Sequence, residues 1–498
     1  MKNLILLFFI FIWAKAISQT DTTSSTKEVR IIHADKLQFY TDAQGNAIRK
    51  MVGNVQLQQD STYMYCDSAF LKKEENVVDM YSRVRITDGQ NITATADKLN
   101  YNGNEKMAKL IGKAKLTDSE MQIKSETLYY DRANSIGYYL NGGVLTTDET
   151  VLTSKKAYYH TNTSEAFFNE KVHIDDPEYS LDSDTLMFNT QTKVSTFYGN
   201  TSIYNTESTI LCNNGTYDTQ RQIATFGYGT TILNEPQILK ADSLYYEKQN
   251  GYGKAMRAFD WYDKEMKVSV IGTDAEYFEN ESKIIAINRP LLVSEIDEDT
   301  LFLRGDTVIA INDFTKRFQA FPNVRVFKTD LQAVADSLYY SQNDSMMRLY
   351  ENPILWNEES EMKGDTVMVQ IANSKVENIF FIDKAFILTQ SQGKLFDQVK
   401  GKKITGYFAD SKLDKMLVER NAESLYFGKN DDGAFIGGNQ SKSVNMWIYV
   451  VESKIKKIVF LDKPEAVFTP ITKMTESMFY LKDFKANFEL RPISKEDL

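Results

Sequence analysis

Cysteine, histidine and proline are all scarce in this chain of 498 residues, which has 2 Cys, 3 His and 8 Pro. Two cysteines cannot build a disulfide scaffold. The histidines, His33, His160 and His173, form neither H-x-H nor H-E-x-x-H, so no histidine metal site is expected and no cofactor is implied. So little proline suits long uninterrupted strands. After the first 18 residues no apolar run approaches the roughly 18 to 20 residues that span a bilayer. A sustained apolar spacing of three and four is missing too, which argues against helices. Positive charge is in deficit. The net charge of −10 becomes −12 once Lys2 and Lys15 of the leader are removed, which excludes nucleic acid as an expected partner.

The leader itself is legible. Lys2 precedes an apolar run from Leu4 to Trp13, then Ala14-Lys15-Ala16 and Ala16-Ile17-Ser18 offer small-residue cleavage sites. Residues 1–18 are therefore expected to be a secretory signal peptide, with 19–29 a flexible segment and the mature chain soluble.

The rest of the chain is dominated by one phrase, small-acidic-x-aliphatic-x-aromatic. It occurs as Ala34-Asp35-Lys36-Leu37-Gln38-Phe39, Ala96-Asp97-Lys98-Leu99-Asn100-Tyr101, Ser125-Glu126-Thr127-Leu128-Tyr129-Tyr130 and Ser183-Asp184-Thr185-Leu186-Met187-Phe188. It returns as Ala241-Asp242-Ser243-Leu244-Tyr245-Tyr246 and Ala335-Asp336-Ser337-Leu338-Tyr339-Tyr340. Copies numbered by the acid slot fall at 35, 67, 97, 126, 155, 184, 213, 242, 274, 306, 336 and 365, and the commonest step is 29 residues. This is the signature of a repeat protein. Beyond 365 the candidate copies at Lys402, Glu423, Lys442 and Glu476 are unevenly spaced. Residues 30–370 are thus expected to form the regular repeats and 371–498 an irregular C-terminal β region.

Within a copy, apolar and polar residues alternate with period two, and turn-forming clusters such as Asn102-Gly103-Asn104 and Thr117-Asp118-Ser119 occur twice. That predicts an up-and-down pair of strands, each about 12 residues long and bent at the small residue before the acid. The expected fold is all-β: an elongated, open-ended β-jelly roll of antiparallel repeats. A right-handed parallel β-helix with one coil per copy is the alternative. Cys66 and Cys212 occupy the small-residue slot and are expected to stay unpaired in the core.

The repeated acid is expected to serve the bend, since a catalytic carboxylate does not recur in every copy. No enzyme is predicted. The acidic clusters Asp175-Asp176, Asp297-Glu298-Asp299 and Asp431-Asp432 lack calcium-loop spacing and read as solvated turns, and the Gly-rich loop 429–438 lacks a phosphate-cradle pattern.

The phrase, followed by a turn and a strand such as Ala108-Lys109-Leu110-Ile111-Gly112-Lys113-Ala114-Lys115-Leu116, resembles the OstA-like family of periplasmic lipopolysaccharide-transport proteins with the LptA-type module. The resemblance covers about residues 30 to 370. It implies a β-jelly roll whose apolar groove holds the acyl chains of lipopolysaccharide, and open ends that add strand to strand onto other jelly-roll modules, in outer-membrane biogenesis. The groove positions are expected at Leu37, Phe39, Leu99, Tyr101, Leu128, Tyr130, Leu186, Phe188, Leu244, Tyr246, Leu338 and Tyr340. A competing expectation is an exported structural β-solenoid or adhesin with a filled core. An enzyme on a β-helix would need a solitary charged cluster off the repeat, and none is found.

Overall fold

The computed structural model describes residues 28–498 apart from 44, 89–91, 148–149, 297–298, 313–314, 373–374, 410–411 and 452–453. Residues 1–27, and with them the expected signal peptide and nearly all of the 19–29 segment, lie outside the described residues. The chain divides into two compact units, Met1–Asp148 with Lys156–Asn162, and Glu149–Lys155 with Thr163–Leu498.

In the first unit, Ala47–Gln59, Thr62–Lys72, Val77–Thr87, Thr93–Asn102, Met107–Thr117 and Gln122–Asp131 form an antiparallel meander of 10 to 13 residues per strand. Every pairing between described strands in each unit is antiparallel, which rules out the parallel β-helix. Each strand bends in its middle, where the register shifts, as between Thr95 and Lys98 or between Ile111 and Ala114. The bend divides each meander into two leaves. One carries the aliphatic and aromatic end of the phrase, and the other carries the residues that precede the acid. We call them the aromatic leaf and the facing leaf.

Two kinds of bend alternate along the chain. In one strand the bend is the acid of the phrase. In the next it is a residue, or a pair of residues, at positive φ: Gly53-Asn54, Ser82-Arg83, Gly112-Lys113, Glu170-Lys171 and Gly199. The acid sits over this left-handed bulge. A Cβ on Gly112 would lie 2.7 Å from Asp97 Oδ2, and one on Gly199 would lie 2.7 Å from Asp184 Oδ2. The bulge in turn donates to the acid: Asn54 Nδ2 to Asp35 at 3.0 Å, Arg83 Nε to Asp67 at 3.0 Å, the Asn200 backbone N–H to Asp184 at 3.0 Å and Asn323 Nδ2 to Asp306 at 2.7 Å. Two copies lack the acid, at Lys155 and Asn213, and at Lys155 the charges are exchanged. Lys155 Nζ meets Glu170 Oε2 at 2.7 Å, so the lock survives with its polarity reversed.

The second unit continues the same plan. Strands shorten to 4 to 7 residues per leaf over much of 223–372 and then lengthen. Lys375–Gln392, Leu395–Ala409, Lys412–Lys429 and Phe435–Val451 run 18, 15, 18 and 17 residues, and they bend near Asp383-Lys384, Lys402, Arg420-Asn421 and Val444. Residues 371–470, expected as an irregular region, are thus long paired strands. Glu423 and Lys442 lie two residues from bends, and Glu476 lies in a 3-10 turn.

The C-terminal residues 471–498 leave the ladder and cross the outer side of the facing leaf. Leu481, Phe479, Phe484 and Phe488 pack on Phe386, Leu388, Phe396, Leu425 and Phe427. Polar ties fix the path: Leu481 N–H to Gln398 at 2.8 Å, Asn487 N–H and Nδ2 each to Glu361 at 2.7 Å, and Arg491 Nε to Gln332 at 2.8 Å. Helical structure among the described residues is confined to five 3-10 turns of three or four residues.

Candidate functional site

The candidate site is the space between the leaves, because alternation sends one side chain in two there. In the first unit that space is closed. Across the aromatic leaf runs the row Met51, Ala69, Met80, Leu99, Leu110 and Leu128, and across the facing leaf the row Leu57, Met64, Ile86, Ala94, Leu116 and Ile123. All twelve are at most 2 % exposed. Tyr101 and Tyr130 stand behind the first row and are also buried. Burial pushes the Tyr130 hydroxyl up to about 12, and the Tyr101 hydroxyl, raised by the same cause, donates to Gln59.

Polar contacts between the two leaves pin the rim of this unit. Lys106 Nζ meets Asp60, from turn to turn, at 2.9 Å, and Tyr159 OH, on the strand Lys156–His160, donates to Asp118 at 2.7 Å. Leu37 and Phe39 share the inward phase, but they lie on the edge strand Lys36–Thr41, whose described pairing is with Ala47–Gln59 alone. They are 44 % and 70 % exposed, and so they do not line an enclosed space here.

The second unit begins equally tight and then opens. Its facing-leaf row reads Leu181, Ile203, Ile210, Ile232, Leu239, Trp261, Val270, Leu292 and Leu303, each opposite the next in register. Leu181 and Leu303 are buried, whereas the five residues from Ile203 to Trp261 are all part-exposed. On the aromatic leaf the fully buried Phe168, Leu186 and Phe197 are followed by Gly215, Phe226, Leu244, Ala255 and Ala275; the Phe197 ring fills the space beside Gly215, and the smaller side chains are Ala255 and Ala275.

Among the expected groove residues of this unit, Leu186, Leu244 and Leu338 are buried, and Phe188, Tyr246 and Tyr340 are half-buried. At the rim of the open stretch Lys248 Nζ meets Glu178 Oε2 at 2.8 Å, a contact from the turn of one leaf to the turn of the other. Tyr246 OH donates to Glu279 at 2.8 Å. Burial and this carboxylate both push the Tyr246 hydroxyl upward. Sequence reasoning missed Ile203, Ile210, Ile232, Leu239 and Trp261. Their signal was the period-two phase that carries the inward face past the bend, from Ala255 to Trp261 on the one strand Tyr252–Asp263.

Two other recesses lie outside the leaves, at bends. They are open crevices of about 560 Å³ beside Asp336 and Tyr339 and about 360 Å³ beside Asp182 and Asp184. Carboxylates on their walls make them poor places for an acyl chain. Cys66 and Cys212 are both free and buried, and desolvation pushes their thiols up to about 12 and about 11.

Residues 26–184 match the family model described as OstA-like protein. Among solved structures, one that is similar is LptH from Pseudomonas aeruginosa, described as the LptA-homologous periplasmic component of the conserved lipopolysaccharide transport device. The likeness has 11 % identity over 22 % of this chain and 82 % of that one, with a TM-score of 0.21. No curated protein matches the chain.

Proposed function

With residues 26–184 belonging to the OstA-like family, we propose that this chain is a non-enzymatic lipopolysaccharide-transport protein of outer-membrane biogenesis, exported to the periplasm by its leader, which shields acyl chains between its leaves. The observation that carries this reading is that five consecutive inward positions, Ile203 to Trp261, keep part of their apolar surface exposed in the unit whose aromatic leaf carries Ala255 and Ala275. Each CH₂ of an acyl chain transferred from water to such a surface gains roughly 0.8 kcal/mol, so a chain of about a dozen carbons gains on the order of 10 kcal/mol. Apolar contact on that scale needs no basic surface, which reconciles a phosphorylated ligand with a net charge of −10.

Leu186, Phe188, Leu244 and Tyr246 border the open stretch and are proposed to touch the lipid there. At Leu99, Tyr101, Leu128 and Tyr130 the leaves are in contact, so lipid would have to part them. The closed first unit is also what favours a second reading, a structural spacer or adhesin with a filled core. The edge strands are proposed to add onto other jelly-roll modules. Lys36–Thr41 exposes Leu37, Phe39 and Tyr40, and Glu465–Pro470 exposes Val467 and Phe468. Unpaired edges of this kind are docking sites or aggregation hazards.

Mass spectrometry of lipid co-extracted with the mature chain tests the proposal. Lipopolysaccharide is expected with the wild type and depleted in an Ile232→Trp, Leu239→Trp variant that fills the space. A lipid-free wild type supports the spacer.

A further inference from the structure

We propose that the outer face of the aromatic leaf near the C-terminus, spanning Leu395–Ala409, Lys412–Lys429, Phe435–Val451 and Lys454–Leu461, docks on an anionic bilayer surface. In these strands Val418, Met446 and Ile448 are fully buried and point inward, so their neighbours in sequence face outward. The outward residues form two rows in direct cross-strand register. One is Tyr407, Lys415, Tyr449 and Lys457, and the other is Thr405, Leu417, Trp447 and Val459.

Cation and ring alternate across the strands. Lys415 Nζ lies 5.8 Å from the centre of Tyr407 and 5.5 Å from that of Trp447, and Lys457 Nζ lies 5.8 Å from that of Tyr449. The rings themselves form a continuous patch, with Tyr407 and Trp447 at 5.6 Å and Trp447 and Tyr449 at 6.4 Å. Tyr449 and Lys457 are exposed, Tyr407, Lys415, Leu417, Trp447 and Val459 are part-exposed, and Thr405 is buried beneath them.

Three features together select the occupant. First, the charge is locally positive in a chain of net charge −10. Glu419, which lies beside these rows, is engaged by Lys403 at 3.3 Å, and among the described residues of the face the neighbours of Lys415 and Lys457 are rings. Second, tryptophan and tyrosine beside lysine are the residues that sit at the headgroup level of a bilayer, the rings among the upper acyl carbons and the ammonium groups reaching out to phosphates. Third, the face is broad and spread over four strands. A soluble phosphorylated sugar would need an enclosing cradle, whereas a bilayer surface matches a wide, shallow face. Lysines near an anionic membrane add attraction that salt screens. The outer side of the facing leaf in the same region is occupied by residues 474–491, which leaves this face as the free one of the two.

The test is vesicle flotation with the full mature chain. One arm uses phosphatidylcholine alone and the other phosphatidylcholine with about a third phosphatidylglycerol, the anionic content that gives each lysine its effect. The wild type is expected to float with the anionic vesicles and to be released by salt. Lys415→Gln, Lys457→Gln should partition about five-fold more weakly for each charge removed. Trp447→Ala should weaken flotation while thermal melting remains cooperative. The Ile232→Trp, Leu239→Trp variant should float like the wild type, which separates this surface from the proposed lipid interior. Equal flotation with both vesicles, an unchanged double-glutamine variant, or competition by inorganic phosphate beyond that of chloride at equal ionic strength would overturn the proposal.

Discussion

The acid that recurs in the sequence is a bend lock, and its partner is the left-handed bulge of the neighbouring strand. Gly199 shows the constraint most sharply. Its φ is +79° and its missing Cβ makes room for Asp184 Oδ2. Gly199→Ala should cost roughly 1–3 kcal/mol, the usual strain of a non-glycine residue held in the left-handed region, read as a shift in the urea midpoint. A loss within error of zero would mean that the bulge relaxes freely. The reversed lock between Lys155 and Glu170 gives a second check. Both groups are about half exposed, so their coupling should be small, about 0.2–1 kcal/mol. A double-mutant cycle should show Lys155→Glu and Glu170→Lys each destabilising and the pair together near wild type. Additive losses would deny the lock.

The cysteines give the third prediction at this scale. Burial raises the thiol of Cys66 to about 12 and that of Cys212 to about 11, against an ordinary value of 9.0. Because the folded values are raised, the stabilisation linked to the neutral thiols is complete below about pH 9 and is lost as pH climbs through the folded values. Native protein near neutral pH should therefore leave both thiols unlabelled by a disulfide reagent, and denatured protein should release two equivalents. Rapid native labelling of either would contradict their place in the core.

At the scale of elements, alternation and turn clusters made the strands legible, and the recurring acid marked half of the bends. The other half were partly hidden. Gly53-Asn54 and Gly112-Lys113 look like bulges, but Ser82-Arg83 and Glu170-Lys171 carry no glycine and are held at positive φ by the lock. Beyond 370 the 29-residue step was lost because strands grow to 15–18 residues, and the candidate copies at Glu423 and Lys442 fall two residues from the bends beside them. The crossing of residues 471–498 over the facing leaf was not legible at all. Its anchors, Phe479, Leu481, Phe484 and Asn487, follow no repeat, and their partners lie from 52 residues away, Phe479 on Phe427, to 126 residues away, Asn487 on Glu361.

Inner positions were legible by phase, but whether they enclose space was not. Enclosure depends on residue volumes summed across several strands. A paired substitution reads this difference. Leu110→Ala, in the closed row, should cost about 2–5 kcal/mol, whereas Ile232→Ala, already part-exposed, should cost clearly less. Hydrogen exchange of the amides around each site would report both losses, and equal losses would mean that the second unit is as closed as the first.

For the whole molecule, the account holds that lipid is sheltered along the stretch from Ile203 to Trp261, where inward apolar side chains stay part-exposed. The carrier and spacer readings share the meander, the locks and the leader, and they part over that stretch alone. Photo-crosslinking in cells, with probes at single positions, addresses it most directly. Probes at Ile232, Leu239 and Leu244 should capture lipopolysaccharide, and probes at Lys240 and Tyr198, which face outward on the same strands or on one nearby, should not. Labelling of both sets alike, or of neither, would contradict the account.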